Sequence, residues 1–196
     1  MLQYLVIIAA LVALFACLSY IRSMFRGEAR PNRVSWLMWS IAPMIGTAAA
    51  LSDGVRWAVL PVFMAGFSPL LIFIFSFVTK KAYWKLEPFD YVCGLFSALA
   101  LILWGVTKEP NIAIAFSIAS DGFAAVPTIT KSWRHPESEA GLPYLSGIFG
   151  AFTSFLAITT WTFSSYAFPI YLALANMVIL FSIYRKRLMP ESFKGK

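Results

Sequence analysis

The feature that most constrains this chain is a series of apolar stretches, each long enough to cross a lipid bilayer as a helix. Such a helix needs about 20 apolar residues to cross the roughly 30 Å hydrocarbon layer. Seven stretches qualify, at residues 3–22, 34–52, 57–79, 89–107, 110–130, 142–163 and 165–184. Apolar residues make up 60% of the chain and charged residues 13%, whereas soluble domains carry about 45–50% and about 25%. The sequence therefore predicts an all-α membrane protein with seven transmembrane helices.

The placement of the basic residues predicts how these helices are oriented. Of the 16 lysines and arginines, all but Arg56 and Lys108 lie after the first, third and fifth stretches or in the tail. Because cytoplasmic loops are enriched in Lys and Arg, we expect the N-terminus outside and the C-terminus in the cytoplasm, in a bacterial inner membrane. The net charge of +7 is thereby explained by loops, and we expect no nucleic-acid partner.

Two short segments recur at nearly the same distance along the chain. The end of the third stretch, FSFVTKK at 75–81, is similar to the end of the seventh, FSIYRKR at 181–187. The exit of the first stretch, IRSM at 21–24, is likewise similar to the exit of the fifth, TKSW at 130–133. This pattern predicts two parallel three-helix repeats joined by a linker helix. Residues 1–86 form the first repeat, 87–109 the linker helix, and 110–196 the second repeat with a basic cytoplasmic tail.

The segment AVPTITKSWRHPESE at 125–139 resembles the loop region of PQ-loop proteins. The motif of that family consists of Pro-Gln, then an apolar and a basic residue, and then a charged loop that leads into the next helix. The predicted topology resembles the same superfamily, which includes the SWEET sugar transporters. The motif differs in one place, since Thr128 stands where the family has Gln. The resemblance implies a seven-helix transporter scaffold of the 3+1+3 type, more firmly than it implies sugar as the cargo.

Asp121 is the most informative single residue, because it lies near the middle of the fifth stretch. A carboxylate at that depth costs at least about 2.5–3.5 kcal/mol and normally faces the bundle or a cavity. It predicts a site for a proton or for a cationic substrate group, or else a hydrogen bond that fixes the packing of two helices. No basic residue is expected at the same depth.

Three further residues are candidates through the family resemblance. Pro127 interrupts the backbone ladder of its helix, and the resemblance implies that it is a hinge between open and closed states, with Pro43 as a second hinge. Asn176 matches an asparagine of the SWEET substrate pocket, which implies hydrogen bonding to a polar substrate. The structural alternatives are a simple bend for the prolines and a bond between helices for the asparagine.

The tryptophans divide into two groups in this interpretation. Trp104 and Trp39 are candidates for the wall of a substrate pocket. Trp36, Trp57 and Trp161 are expected in the belt of aromatic residues at the membrane surface, where tryptophan is enriched.

These features together favour a membrane transporter that moves a small polar solute such as a sugar or an amino acid, either by facilitated movement or coupled to protons. The alternative is a membrane receptor or scaffold on the same fold that binds a lipid, a peptide or a partner protein without transport. An enzyme is not expected, because the spans offer one deep carboxylate and no deep histidine, and we expect no metal and no cofactor. The bilayer and a small-molecule substrate are the expected partners, and assembly into a homo-oligomer is left open.

Overall fold

The computed structural model describes residues 2–52, 60–79, 84–107, 110–157, 161 and 163–188. Within these ranges the chain forms seven α-helices and one short 3-10 turn at Pro136–Ser138, and no strands. The helices are α1 (Leu2–Arg26), α2 (Arg33–Ser52), α3 (Leu60–Val78), α4 (Pro88–Thr107), α5 (Pro110–Arg134), α6 (Leu142–Ala157) and α7 (Phe163–Leu188).

The prediction of an all-helical chain is confirmed in the described residues, with differences at the ends of the helices. Helices α1, α5 and α7 continue for about a turn past the predicted apolar stretches and end at Arg26, Arg134 and Leu188. Polar residues end an apolar stretch, but the hydrogen-bonded backbone of a helix continues through them until a breaker occurs. Helix α6 begins at Leu142, as predicted, and is described as far as Ala157. Residues 158–160 and 162, at the end of the predicted stretch, lie outside the described residues.

Three helical segments are long and apolar enough to cross a membrane. They are Leu5–Arg26 in α1, Leu60–Val78 in α3 and Tyr166–Leu188 in α7. Shorter apolar segments lie at Pro88–Leu103 and Leu142–Leu156. Helix α5 is less apolar than these, since it carries Asp121, Lys131 and several serines. The described chain is therefore helical, with three helices that could cross a membrane by their length and composition, and the crossing of all seven helices stays a prediction.

The helices pack in a definite order of neighbours. Helix α3 packs against both α1 and α2, and α7 packs against both α5 and α6. Between these two groups, α1 packs against α6 and α2 packs against α5. Helix α4 packs mainly against α5 and less extensively against α2.

The connections that follow α1 and α5 meet at one end of the bundle. Helix α1 ends at Gly27, whose φ of 79° is in the left-handed region that favours glycine at a helix C-terminus. The Asn32 side-chain oxygen then caps α2 by accepting the main-chain N–H of Val34 at 3.1 Å. The main-chain N–H of Arg30 donates to the carbonyl of Ser138 at 2.9 Å. A group of buried aromatic residues lies nearby.

Candidate functional site

The predicted proton site, Asp121, lies where three helices meet. It is buried, and its carboxylate oxygen Oδ2 accepts the hydroxyl of Tyr171, in α7, at 2.7 Å. The indole N–H of Trp39, in α2, donates to the main-chain oxygen of Asp121 at 3.3 Å. No described lysine, arginine or histidine forms an ion pair with it. Among the described residues the carboxylate therefore has one neutral hydrogen-bond donor, Tyr171, and no cation.

Trp39, a predicted pocket residue, belongs to a buried aromatic group that consists of Tyr20, Trp36, Trp39 and Tyr144. The Trp36 ring lies 5.0 Å from that of Tyr20 and 5.3 Å from that of Trp39, centre to centre. The Tyr144 ring is 6.3 Å from both tryptophans. Since these residues come from α1, α2 and α6, the group lies on the contact between the two sets of three helices.

Two of the other tryptophans can be compared with their predicted place in the interfacial belt. Trp161 is 66% exposed, as a residue facing the membrane surface would be. Trp36 is only 2% exposed, so its predicted place in the belt is wrong: it packs in the core because Tyr20, Trp39 and Tyr144 surround it. Trp57 and the side chain of Trp104 lie outside the described residues.

A second polar site lies further along α5, at the end of the bundle where the connections meet. The Lys131 ammonium is paired with the Glu139 carboxylate, and both side chains are almost fully buried. Lys131 also donates to the main-chain oxygen of Arg30 at 2.5 Å, and the ring of Trp84 lies 5.3 Å from its nitrogen. The hydroxyl of Tyr20 donates to the other carboxylate oxygen. This cluster, Lys131, Glu139 and Tyr20, ties α1 and the two connecting loops to α5.

Several buried polar atoms near these two sites make no hydrogen bond to a described residue. They lie at the contact between the start of α2, including its N-cap, and the second half of α5. Contacts of Trp39 with Asp121 and of Arg30 with Lys131 show that α2 and α5 run antiparallel, so the start of α2 lies beside the second half of α5. The atoms there are Asn32 Nδ2, Ser35 Oγ, Thr128 Oγ1 and Ser132 Oγ.

Unpartnered polar atoms in an interior are costly unless water or a ligand supplies the missing bonds. One of these atoms, the Asn32 amide nitrogen, can only donate. The hydroxyls can donate or accept. The interior between α2 and α5 thus offers hydrogen bonds to waters or to a solute that carries oxygen atoms.

Asn176, the predicted substrate contact, lies apart from Asp121. Its amide nitrogen donates to the main-chain oxygen of Leu172, one turn earlier in the same helix, at 2.8 Å. Its side chain packs on Gly147 of α6, where an added Cβ would come within 2.8 Å of the amide nitrogen. Asn176 follows Tyr171 by five positions, or about 140° around the helix. Tyr171 therefore faces Asp121 in α5, whereas Asn176 faces Gly147 in α6. The structure does not bring Asn176 and Asp121 together.

The predicted hinges are buried prolines within helices. Pro43 lies inside α2 and Pro127 inside α5. Pro127 follows Asp121 and precedes Lys131, so it separates the two polar sites of α5. A proline at this place removes one backbone hydrogen bond and bends the helix.

A partly open cavity in the described part of the chain lies elsewhere. It has a volume of about 530 Å³ and opens between α6 and α7, with Leu145, Met177 and Tyr184 among its walls. None of the six predicted site residues lines it. Within the described part of the chain, no three His, Cys, Asp or Glu side chains come together as metal ligands would.

Residues that sequence reasoning missed are Tyr171, Tyr20, Lys131 and Glu139. Lys131 and Glu139 fell in a charged segment that suggested a solvated loop, and no local pattern distinguishes a buried charge there. Comparisons with known protein families, curated proteins and solved structures find no match to this chain.

Proposed function

We propose that this chain is a membrane transporter for a small polar solute, built from two parallel three-helix repeats joined by α4. In this proposal residues 1–86 and 110–196 are the repeats, and the resemblance to PQ-loop and SWEET-like proteins reflects a shared scaffold. The membrane is a bacterial inner membrane, with the N-terminus outside and the C-terminus in the cytoplasm. Asp121 carries the proton, and Pro127 and Pro43 are hinges.

The order of helix neighbours supports the repeat. A twofold exchange of α1 with α5, α2 with α6 and α3 with α7 converts the contacts within one group into those within the other. The same exchange converts the contact of α1 with α6 into that of α5 with α2, and both contacts are present. Such parallel repeats, related by an axis along the membrane normal, are known in transporters.

A pair of serines at matching positions supports it further. Ser76 and Ser182 come from the two similar segments at the ends of α3 and α7, and both are buried. The Ser76 carbonyl accepts from Arg33 at 2.7 Å, and the Ser182 carbonyl accepts from Arg185 at 2.9 Å. The two arginines differ in origin, because Arg33 comes from α2 and Arg185 from α7 itself, so the support for the repeat lies in the matched positions and burial of the two serines.

The observation that carries the functional proposal is the setting of Asp121. It is buried between the two groups of helices, has Tyr171 as its side-chain partner and no described cation beside it. A buried carboxylate with neutral partners can take up and release a proton within a bundle, a use for which membrane-buried acids are known. The unpartnered polar atoms between α2 and α5 would contact the solute or the waters around it.

The test begins with purified protein and a panel of sugars, amino acids, vitamins and organic acids at two pH values. A solute that binds the folded state raises its melting temperature. Each such solute is then measured in proteoliposomes, with uptake driven by a pH gradient and, separately, by exchange against the same solute without a gradient.

We expect Asp121→Asn to abolish the uptake that depends on the pH gradient, and Glu137→Gln, which neutralises an exposed carboxylate, to leave it unchanged. Equal gradient-driven uptake by Asp121→Asn and the native chain would exclude Asp121 as the proton site. If no solute in the panel raises the melting temperature or is exchanged, the transporter proposal is rejected. For the hinge, Pro127→Ala should slow exchange more than it weakens solute binding, and the opposite ranking would contradict that role.

The second candidate function is a receptor or scaffold that does not transport. It is favoured by the position of the cavity between α6 and α7, outside the contact between the two groups of helices. A ligand that binds with high affinity but is never exchanged across the membrane would favour this function.

A further inference from the structure

The cavity between α6 and α7 is a groove on the outer face of the bundle. Its walls are almost entirely apolar, and several of them are well exposed, including Leu145 at 55% and Leu188 at 64%. It is lined by Gly141, Leu142, Leu145, Met177, Leu180, Phe181, Tyr184 and Leu188. Since α7 contains one of the segments able to span a membrane, the groove faces the region where lipid acyl chains lie.

The shape of the groove suits one extended chain. Its α7 wall runs from Met177 to Leu188, which corresponds to about 16 Å along a helix that rises 1.5 Å per residue. Tyr184 lies over Gly141, where an added Cβ would come within 2.6 Å of the tyrosine hydroxyl. This close packing of α7 on the start of α6 closes the floor of the groove near its polar end.

The end of the groove near Leu188 carries positive charge. The Arg187 guanidinium lies 5.8 Å from the ring centre of Tyr184, which is itself a wall residue. Arg187 is exposed and forms no ion pair with a described carboxylate. Lys186, beside it, is also exposed, although it interacts electrostatically with Glu137.

We propose that this groove is a binding site for one anionic phospholipid, with an acyl chain between α6 and α7 and the headgroup phosphate at Arg187. The apolar walls provide the affinity for the chain, and the uncompensated cation provides the preference for an anionic headgroup. Basic sites beside transmembrane helices are known to bind such headgroups. The site requires no transport activity, so it is independent of the proposed function.

The experiment measures lipid binding to the delipidated protein by native mass spectrometry. Phosphatidylglycerol and phosphatidylcholine with identical acyl chains are titrated separately, and glycerol 3-phosphate serves as a competitor that has the headgroup without the chains. The variants are Arg187→Gln at the groove, Leu145→Trp to fill it, and Arg26→Gln as the matched control. Arg26 is an exposed arginine in the last turn of α1, away from the groove.

We expect one phosphatidylglycerol to bind per chain and to bind more tightly than phosphatidylcholine. One cation near a membrane surface contributes about 1 kcal/mol to the binding of anionic lipid, so Arg187→Gln should weaken phosphatidylglycerol about fivefold and phosphatidylcholine little. Leu145→Trp should weaken both lipids, and Arg26→Gln neither. Glycerol 3-phosphate should not displace the lipid at concentrations similar to that of the lipid.

Four results would overturn the site. Equal affinity for the two lipids would remove the role of charge. Equal losses in Arg187→Gln and Arg26→Gln would indicate general attraction to a basic surface. Displacement by glycerol 3-phosphate, or full binding by Leu145→Trp, would show that the groove does not hold an acyl chain. None of these outcomes depends on whether the chain transports a solute.

Discussion

Glu139 and Asp121 are both buried carboxylates with a tyrosine hydroxyl as donor, but only one of them has a cation. Glu139 is paired with Lys131 and accepts from Tyr20, so its negative charge is compensated within the protein. Asp121 accepts from Tyr171 and has no described cation in contact. A compensated pair holds elements together, whereas an uncompensated acid is free to change its protonation. The two sites therefore suit different tasks, although helix α5 contributes to both.

The largest effect is expected from removing one partner of the compensated pair. Lys131→Met leaves the Glu139 carboxylate buried without a cation, which typically costs about 3–5 kcal/mol of stability. The free energy of unfolding in detergent, followed by circular dichroism, measures this loss. The double variant Lys131→Met/Glu139→Gln should recover most of it. A loss below about 1 kcal/mol in the single variant would mean that the pair is not buried as described.

The two tyrosines provide a matched pair of variants. Tyr20→Phe removes a hydrogen bond to an ionised carboxylate, and such bonds contribute about 1.5–3 kcal/mol. Tyr171→Phe removes the side-chain donor of Asp121. If Asp121 holds a proton in the folded state, as the proposed function requires, this bond joins two neutral groups, and we expect a loss of about 1 kcal/mol. Unfolding of both variants at the same pH measures the difference. A larger loss for Tyr171→Phe would reverse the distinction between the two carboxylates.

A smaller effect on stability is expected from Asp121→Asn. The asparagine has the same shape and can still accept from Tyr171, so the free energy of unfolding should stay within about 1 kcal/mol of the native value. Glu139→Gln is the comparison, since it leaves the Lys131 ammonium buried and unpaired and should cost several times more. Similar losses for the two variants would show that the negative charge of Asp121, like that of Glu139, stabilises the fold.

The smallest effect is expected from Glu137→Gln, the exposed reference. The pKa of this carboxyl lies below its usual range because its own main-chain N–H donates to it, with further contributions from His135 and Lys186. Its stabilising effect is present above the ordinary pKa and is lost as the pH falls through the lowered value. At pH 7 we expect the melting temperature to change by less than about 2 °C, and a larger fall would indicate a structural role for this loop.

The sequence alone determined that the chain is helical and approximately where each helix lies. Runs of about 20 apolar residues satisfy the backbone within a single segment, so the prediction needs no knowledge of neighbours. The ends were less certain, as α1 and α5 show by continuing to Arg26 and Arg134, because a helix ends where its local backbone bonds end and not where hydrophobicity falls. The sequence also indicated that Asp121 would be buried, because a carboxylate within a membrane span is costly in lipid and normally faces the interior of the bundle or a cavity.

Only the tertiary structure decided which polar groups meet. Tyr20 and Glu139 are separated by 119 positions, and Trp39 and Asp121 by 82, so no local pattern relates them. For the same reason Asn176 faces Gly147 and not Asp121, Trp36 packs in the core, and Lys131 is buried in what looked like a solvated loop. Helix formation depends on neighbours within four residues, whereas the partners of a buried side chain depend on how whole helices pack against one another.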